Sequence, residues 1–277
     1  MNALQKTLNP YSTVVLTGGS SGIGRSFIEA IQGLNPTAFI CNLSRSSPEK
    51  KLLSERVRHI KCDLEKRDAV QTLLPILEPW LEERLSAGKL LLINNSGFGS
   101  FGPFPEPNLG HQLGMVDLNV RAVVELTGAL QPYLERQGGA VINVASTAAF
   151  QPTPYLATYA ATKAFVLHWS LALHTDWRSK GIQVMALCPG PTESRFFARA
   201  GFSQAPNAVR GQTAPQVVEE ALRALGKGRS LCVTGGTNRL LAAVSSRLPK
   251  ALQAPVAQWA IRRSGIVERS EAQKRTQ

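Results

Sequence analysis

Residues 13–24 read Thr-Val-Val-Leu-Thr-Gly-Gly-Ser-Ser-Gly-Ile-Gly, an apolar run that leads into a turn with spaced glycines. The apolar run has the composition of a buried strand, and Gly18, Gly22 and Gly24 follow it. Glycine allows a tight turn and lets backbone N–H groups approach a pyrophosphate, whose charge a helix N-terminus favours. This stretch therefore predicts the first strand, turn and helix of a dinucleotide-binding sheet.

Apolar runs of strand length alternate with helix-length segments along the whole chain. Further strands are expected at 38–43, 57–62, 90–93, 140–144, 183–187 and 231–233. Helical patterns are expected at 22–33, 68–85, 108–133, 155–179 and 215–225. Pro75 and Pro79 are expected to break or kink the second of these helices. The alternation predicts an α/β fold, a Rossmann-type doubly wound parallel sheet of about seven strands with helices on both faces.

The organisation indicates a single domain with a C-terminal helical extension. Residues 10–237 are expected to form the catalytic domain, and residues 238–277 a basic helical extension. The Gly/Pro/Phe loop 98–107 and the long connection 191–214 both follow predicted strands. Ligands bind at the carboxyl ends of strands in open α/β sheets, so 191–214 is interpreted as a substrate loop.

Composition limits the classes of function. The 277-residue chain is 43% hydrophobic, with no apolar run near the roughly 20 residues that span a bilayer. Its start does not resemble a signal peptide, so a cytoplasmic location is expected. The cysteines lie in or beside strand-like runs without the spacing of a metal site, which predicts reduced, packed thiols and no metal.

The formal net charge of +12 is concentrated towards the C-terminus. No RNA-reading motif or zinc-finger spacing accompanies this charge, so no nucleic-acid partner is expected. A solvated basic tail accounts for the excess, and peripheral contact of that tail with an acidic membrane surface stays an alternative.

Several motifs together resemble those of the short-chain dehydrogenase/reductase family, in its compact single-domain branch. Thr17-Gly18-Gly19-Ser20-Ser21-Gly22-Ile23-Gly24 is similar to the family's cofactor motif. Asn94-Asn95-Ser96-Gly97 resembles its Asn-Asn-Ala-Gly, with Ser96 in place of alanine. Asn119, Ser146, Tyr159 and Lys163 stand at the family's spacing, and Pro189-Gly190 closes the set. The likeness extends over residues 13–195.

The resemblance implies an oxidoreductase that moves a hydride between a nicotinamide and a carbonyl or alcohol carbon. Tyr159 would be the general acid or base, and Lys163, on the same helix face, would bind the nicotinamide ribose and lower the tyrosine pKa. Ser146 would bind the substrate oxygen, and Asn119 would hold a proton-relay water. Implied cofactor contacts are Thr17, Gly18, Ser20, Ser21, Gly22, Ile23, Gly24, Asp63, Leu64, Asn95, Ser96, Gly97, Tyr159, Lys163, Pro189, Gly190, Thr192 and Ser194.

The segment Ser44-Arg45-Ser46, after the second strand, bears on the choice of cofactor. A carboxylate there would accept hydrogen bonds from ribose hydroxyls and repel a phosphate, whereas an arginine would bind the phosphate. No acid precedes Glu49, so Arg45 predicts NADP(H) in preference to NAD. A solvated loop arginine is the alternative interpretation.

Aromatic residues in the two loops favour a lipophilic substrate such as a ketone, an aldehyde or a 3-oxoacyl compound. Phe98, Tyr155 and Phe196 are expected to contact it together with Ser146 and Tyr159. These aromatics could instead pack beneath the loops or at a subunit interface. The resemblance also implies a homodimer or homotetramer.

Two other classes of function stay open. One is a catalytically silent NADP(H)-binding regulator, against which the intact Ser146, Tyr159 and Lys163 set argues. The other is a protein that binds a membrane surface or nucleic acid through its basic tail.

Overall fold

The computed structural model describes residues 1–85, 88–192, 211–263 and 267. Seven strands within these ranges form one parallel sheet in the order β3-β2-β1-β4-β5-β6-β7. The strands are β1 (Tyr11–Thr17), β2 (Phe39–Ser44), β3 (Val57–Lys61), β4 (Lys89–Asn94), β5 (Ala140–Val144), β6 (Gln183–Cys188) and β7 (Leu231–Val233). The predicted doubly wound, seven-stranded Rossmann sheet is confirmed.

Helices cover both faces of this sheet. They are α1 (Ala3–Leu8), α2 (Gly22–Leu34), α3 (Ala69–Arg84), α4 (Leu109–Val116), α5 (Ala122–Gln137), α6 (Ala157–Trp177), α7 (Ala214–Gly226), α8 (Gly236–Arg247) and α9 (Lys250–Arg263). No helix in the described part of the chain is both long and apolar enough to span a bilayer.

Successive side chains of each strand enter opposite halves of the core. In β1, Val14 and Leu16 pack with α2 and α7, whereas Val15 packs on the other face with α3 and α5. Strands buried on both faces are the reason that the sequence shows near-continuous apolar runs rather than alternation.

The strand order changes direction between β1 and β4. The chain winds from β1 to β3 on one side of the sheet and then returns to place β4 beside β1 on the other. Connections therefore leave the carboxyl ends of β1 and β4 in opposite directions. The resulting crevice is where this sheet type binds its ligands.

Helix α3 is continuous across Pro75 and Pro79, so these prolines do not break it, and the alternative of a kink stays a prediction. Both prolines are exposed, and the buried residues Leu73, Leu77 and Trp80 hold the helix on the sheet. Solvent can satisfy the carbonyl groups that lose their helical donors on the outer side.

Two further elements differ from the sequence-based expectations. The helix expected at 108–133 is divided into α4 and α5 by a π-helical turn, Asp117–Arg121. The N-terminal helix α1 was not predicted, although its capping box between Asn2 and Gln5 is a readable signal. Leu8 of α1 is buried in the core, so this helix packs with the sheet domain that was expected to begin at residue 10.

Candidate active site

The glycine turn links the carboxyl end of β1 to the start of α2. Gly18 and Gly22 have φ angles of 75° and 54°, a backbone region that favours glycine. A Cβ on Gly24 would lie 2.3 Å from the Gly18 carbonyl oxygen, so a larger residue would displace the turn. The side chain of Ser21 at the helix N-cap makes no capping hydrogen bond to the first N–H groups of α2. The turn and these N–H groups therefore suit a pyrophosphate.

Thr17 joins this turn to the end of β4. Its Oγ1 accepts hydrogen bonds from the N–H groups of Asn95 and Ser96 at 2.9 and 2.8 Å. Asn95 Nδ2 in turn donates to the carbonyl oxygens of Thr17 and Gly18 at 2.9 and 3.2 Å. Asn95 therefore fixes the glycine turn from the neighbouring strand while it also lines the cavity described below.

Ser146, Tyr159 and Lys163 meet in one cavity, as the family resemblance implied. Ser146 follows β5 and hydrogen-bonds Tyr159, which lies on α6. Lys163 lies one turn further along α6, with Nζ 2.8 Å from the Val144 carbonyl oxygen and 5.9 Å from the centroid of the Tyr159 ring. Both Tyr159 and Lys163 are buried. A phenol, an ammonium and a hydroxyl thus converge at the carboxyl end of the sheet.

Burial controls the protonation of this group. Desolvation raises the pKa of Tyr159 to about 12, although its hydrogen bond with Ser146 acts in the lowering direction. Desolvation also lowers the pKa of Lys163 to about 8. The Lys163 ammonium is directed to the Val144 carbonyl oxygen, and its expected lowering of the tyrosine pKa stays a prediction. At neutral pH Tyr159 is a protonated phenol, the form that a proton donor needs.

Asn119 lies fully buried in the π-helical turn. Its Nδ2 donates to the Phe98 carbonyl oxygen at 3.0 Å and to Thr162 Oγ1 at 3.1 Å. A Cβ on Gly97 would lie 2.9 Å from Asn119 Oδ1 and 3.3 Å from Lys163 Nζ, so these two groups flank Gly97. Asn119 therefore holds the loop after β4 beside Lys163, and its expected contact with a water stays a prediction.

Sequence reasoning missed Arg121, which ends the same π-helical turn. Its Nη2 donates to the carbonyl oxygens of three consecutive residues, Leu64, Glu65 and Lys66, at 3.0, 3.2 and 2.8 Å. Asp117 and Glu125 on either side hold the guanidinium by ion pairs at 2.9 and 2.6 Å. Arg121 thereby shapes the loop after β3, where Asp63 and Leu64 line the cavity. The spacing of four residues predicts the ion pairs, but nothing local predicts the carbonyl contacts.

Arg45 lines the cavity at the end of β2, together with Ser44 and Ser46. Its side chain is 53% exposed, and Nη1 lies 3.6 Å from Glu65 Oε2. This loose pair leaves most of the guanidinium accessible, which fits a phosphate on the adenosine ribose.

The other predicted cofactor contacts also line the cavity. Among the described residues, those that line it are Gly18, Ser20, Ser21, Gly22, Ile23, Asp63, Leu64, Asn95, Ser96, Gly97, Pro189, Gly190 and Thr192. Thr17 and Gly24 support the turn from behind, through the contacts given above. Ser194 lies outside the described residues.

The cavity has a volume of about 1350 Å³, more than the roughly 300–1,000 Å³ of most ligand pockets. Beyond Ser146, Tyr159 and Lys163, the two C-terminal helices contribute one side of its wall among the described residues. The apolar residues that α8 and α9 contribute are Leu241, Ala242, Val244, Val256, Ala257 and Ala260. Sequence reasoning missed this wall, although the apolar spacing within α8 was a signal for it.

The predicted substrate contacts separate into three groups. Phe98 lines the cavity. Tyr155 does not, because its ring stacks on Phe101 at 5.7 Å between centroids and its hydroxyl accepts a hydrogen bond from Arg262 Nε at 3.0 Å. Phe196, like most of the loop 191–214, lies outside the described residues.

The cysteines are free thiols, and Cys41, Cys188 and Cys232 are buried. Burial raises the pKa of Cys188 to about 12, so this thiol beside the catalytic group is neutral. Within the described ranges no three His, Cys, Asp or Glu side chains come together as metal ligands would.

Comparison with known proteins identifies the family. A family model described as short chain dehydrogenase matches residues 12–203. The chain belongs to the short-chain dehydrogenase family, as its motifs predicted.

Among curated relatives, the very-long-chain 3-oxoacyl-CoA reductase of Rattus norvegicus is 32% identical over 186 residues, which are 63% of this chain and 57% of the relative. The chain thus spans less than two thirds of that relative's length. Among solved structures, a short-chain dehydrogenase from Sphingobium yanoikuyae in complex with NADPH superposes with a TM-score of 0.70 at 26% identity, covering 85% of this chain and 93% of the other. The bulky-bulky ketone specific alcohol dehydrogenase from Comamonas testosteroni gives a TM-score of 0.67 at 25% identity, covering 87% and 96%.

Proposed function

We propose that this protein is an NADP(H)-dependent oxidoreductase that interconverts a carbonyl and an alcohol. The observation that carries the proposal is the convergence of Ser146, Tyr159 and Lys163 in the cavity that the glycine turn opens. Family membership supports the same reaction class. A regulator without turnover would have no need to keep a protonated phenol buried beside an ammonium.

The residues divide the cavity into binding and reacting ends. The glycine turn would hold the pyrophosphate, the Asp63–Leu64 loop would hold the adenine, and Arg45 would bind the ribose phosphate. When bound, NADPH supplies the hydride that reduces the carbonyl carbon. At the reacting end, Tyr159 donates its phenolic proton to the substrate oxygen as negative charge develops there, and Ser146 donates a hydrogen bond to the same oxygen.

Lys163 stabilises the phenolate that this proton transfer leaves behind. Its pKa near 8 keeps the ammonium charged at neutral pH, and α6 places it one turn from Tyr159. In the oxidative direction the same phenolate is the base that removes the alcohol proton. Reprotonation of Tyr159 after reduction restores the group for the next turnover.

A lipophilic ketone, aldehyde or 3-oxoacyl compound is the proposed substrate. The apolar wall from α8 and α9, together with Phe98, suits a long or bulky apolar group. The names of the rat 3-oxoacyl-CoA reductase and the Comamonas bulky-ketone dehydrogenase point to substrates of this size.

The experiment is a 340 nm assay with NADPH and a panel of carbonyl compounds, repeated with Tyr159→Phe. Loss of the proton donor is expected to lower kcat by about 10²–10⁴-fold. Tyr133→Phe, which removes a hydroxyl from α5 outside the cavity lining, is the matched control and should turn over normally. Equal rates for wild type and Tyr159→Phe would refute the proposed chemistry. NADPH binding without turnover of any carbonyl would instead favour the silent regulator.

The proposal extends to a cytoplasmic homodimer or homotetramer. Free thiols in the described strands suit a reducing compartment. Helices α4, α5 and α6 leave the apolar side chains Leu109, Leu113, Val116, Val124 and Phe165 exposed, which a partner subunit would cover. Analytical ultracentrifugation tests the assembly, and a monomer at micromolar concentration would contradict it.

A further inference from the structure

The two C-terminal helices carry apolar side chains on their outer faces. These residues are Leu240, Leu241 and Val244 on α8 and Leu252, Val256 and Trp259 on α9, and each exposes between 47% and 65% of its surface. Spacings of three and four residues place the members of each helix on one side. We refer to these six residues as the outer apolar face.

The outer apolar face is continuous with the cavity. Leu241, Val244 and Val256 are exposed to solvent and also line the cavity wall. They therefore form an apolar rim at its mouth. Exposed apolar groups of this extent mark a surface that contacts something other than water.

The charged residues of α8 and α9 all carry the same sign. Residues 231–263 contain Arg239, Arg247, Lys250, Arg262 and Arg263 but no aspartate or glutamate. Arg239 pairs with Glu220 of α7 at 2.9 Å, so part of the positive charge is neutralised from a neighbouring helix. The Arg263 guanidinium lies 5.2 Å from the centroid of the Trp259 ring, which brings a cation to the edge of the apolar face. The arrangement is complementary to a surface that is apolar inside and anionic outside.

A second copy of the chain fits this surface less well. In a two-fold symmetric contact the same patch meets itself, so the cations of one copy would face those of the other. Helices that combine an exposed apolar face with flanking lysine and arginine lie in the interface of anionic bilayers. Tryptophan is favoured at the same depth, because its ring is apolar and its N–H is polar.

We propose that the outer apolar face of α8 and α9 docks the protein on an anionic lipid bilayer, with the mouth of the cavity directed at the lipid. The apolar rim then lies at the boundary of headgroups and acyl chains, and the basic residues contact lipid phosphates and carboxylates. Docking itself is independent of the proposed reaction. Only its use, the entry of a lipophilic substrate straight from the bilayer, rests on the proposed function.

Vesicle binding tests the docking without any turnover. The full-length protein is sedimented with phosphatidylcholine vesicles, with and without phosphatidylserine, and binding is expected only to the anionic vesicles and to weaken as salt is added. Brominated phosphatidylcholine in the anionic vesicles should quench tryptophan emission. That quenching should be lost in Trp259→Phe, because the other tryptophans lie outside the outer apolar face.

Two sets of substitutions separate the apolar and charged contributions. The triple variant Leu240→Ser, Leu252→Ser, Trp259→Ser changes side chains that do not line the cavity. It should bind anionic vesicles at least about tenfold more weakly, which corresponds to a loss of about 1.4 kcal/mol of binding free energy. The double variant Arg247→Gln, Lys250→Gln should bind roughly 25-fold more weakly, at about fivefold for each cation. Circular dichroism confirms that both variants fold.

Matched controls place the same changes elsewhere on the surface. Ile76→Ser removes an exposed apolar side chain from α3, and Lys50→Gln removes an exposed cation before β3. Both should bind vesicles like wild type, and so should a chain truncated after Arg263.

Four results would overturn the proposal. These are no binding to phosphatidylserine vesicles, undiminished binding by the triple variant, and loss of binding on truncation after Arg263 while the outer apolar face is intact. The fourth is a wild-type dimer that the triple variant converts to a monomer, which would assign the face to a second copy.

Discussion

Asn119 and Phe98 exchange two hydrogen bonds across the end of β4. The Asn119 side chain accepts from the Phe98 N–H at 3.2 Å and donates to the Phe98 carbonyl oxygen at 3.0 Å. The amide thus pairs with the backbone as a neighbouring strand would, at a point where the sheet has ended. Phe98, which lines the cavity, is held in place by this exchange.

Asn119→Ala should therefore destabilise the protein. The change leaves the Phe98 N–H and carbonyl groups buried without this partner, and each such group costs about 1–3 kcal/mol. Urea denaturation is expected to show the free energy of unfolding reduced by about 3 kcal/mol. Asn108→Ala removes a side-chain cap from the exposed start of α4 and is the control, with an expected loss of about 1 kcal/mol. Equal losses in the two variants would contradict the structural role of Asn119.

Gly24→Ala should weaken NADPH binding. The added Cβ would lie 2.3 Å from the Gly18 carbonyl oxygen and 2.5 Å from Asn95 Nδ2, so the glycine turn must move. A loss of about 1.4 kcal/mol of binding free energy weakens affinity tenfold. We expect at least a tenfold rise in the Kd for NADPH, measured by fluorescence titration.

The control for that variant lies in the same helix. A Cβ on Gly33 meets nothing within 4 Å, so Gly33→Ala should leave NADPH affinity unchanged. It should also stabilise the fold by about 0.5–1 kcal/mol, because alanine loses less backbone entropy than glycine in a helix. Similar affinities for the two alanine variants would show that the close approach at Gly24 does not matter for the cofactor.

Lys163 should give the protein a characteristic pH dependence of stability. Its pKa is about 8 in the folded protein and 10.5 ordinarily, so between these pH values the folded chain binds fewer protons than the unfolded chain. The free energy of unfolding therefore rises with pH across this window, by roughly 2–3 kcal/mol between pH 7 and 10. Above pH 10 the raised pKa of Tyr159 makes the free energy of unfolding fall as pH rises. The measurement is therefore made only up to pH 10.

Lys163→Met lacks the titrating group and is the reference. The difference between the unfolding free energies of wild type and variant, measured in urea at each pH, should shift in favour of wild type as pH rises. Parallel pH curves would show that burial does not lower the Lys163 pKa.

Arg45→Ala should discriminate between the two nicotinamide cofactors. Hydrogen bonds to a charged group contribute about 1.5–3 kcal/mol, so the KM for NADPH is expected to rise by roughly 10- to 100-fold while that for NADH changes little. Arg67→Ala removes a more exposed arginine from outside the cavity lining and should affect neither value. Equal increases for NADPH and NADH in Arg45→Ala would count against phosphate recognition.

Local sequence patterns were sufficient for the parts of the site that neighbours in the chain determine. The glycines after β1 follow from the turn they must make, and Tyr159 and Lys163 share a helix face because they are four residues apart. The apolar runs likewise predicted every strand, since a sheet covered on both faces needs them.

Features that depend on distant contacts were not predictable in this way. The carbonyl partners of Arg121 lie 54 to 57 positions away in sequence. The apolar spacing of α8 indicates that this helix packs one face on the protein, but the path by which α8 and α9 return over the strand ends depends on distant contacts. Tyr155 was expected in the cavity on its aromatic character, but its φ of 65° and its contacts with Phe101 and Arg262 direct it elsewhere.

Asn119 and Arg121 stand two residues apart in one π-helical turn, yet they anchor loops that follow different strands. Both side chains project from the segment where the helix is widened relative to an α-helix. Were this turn to relax into ordinary α-helix, both side chains would swing about the helix axis together. One backbone irregularity thus positions both the loop after β3 and the loop after β4, so we expect a substitution that removes the π-helical turn to move both loops.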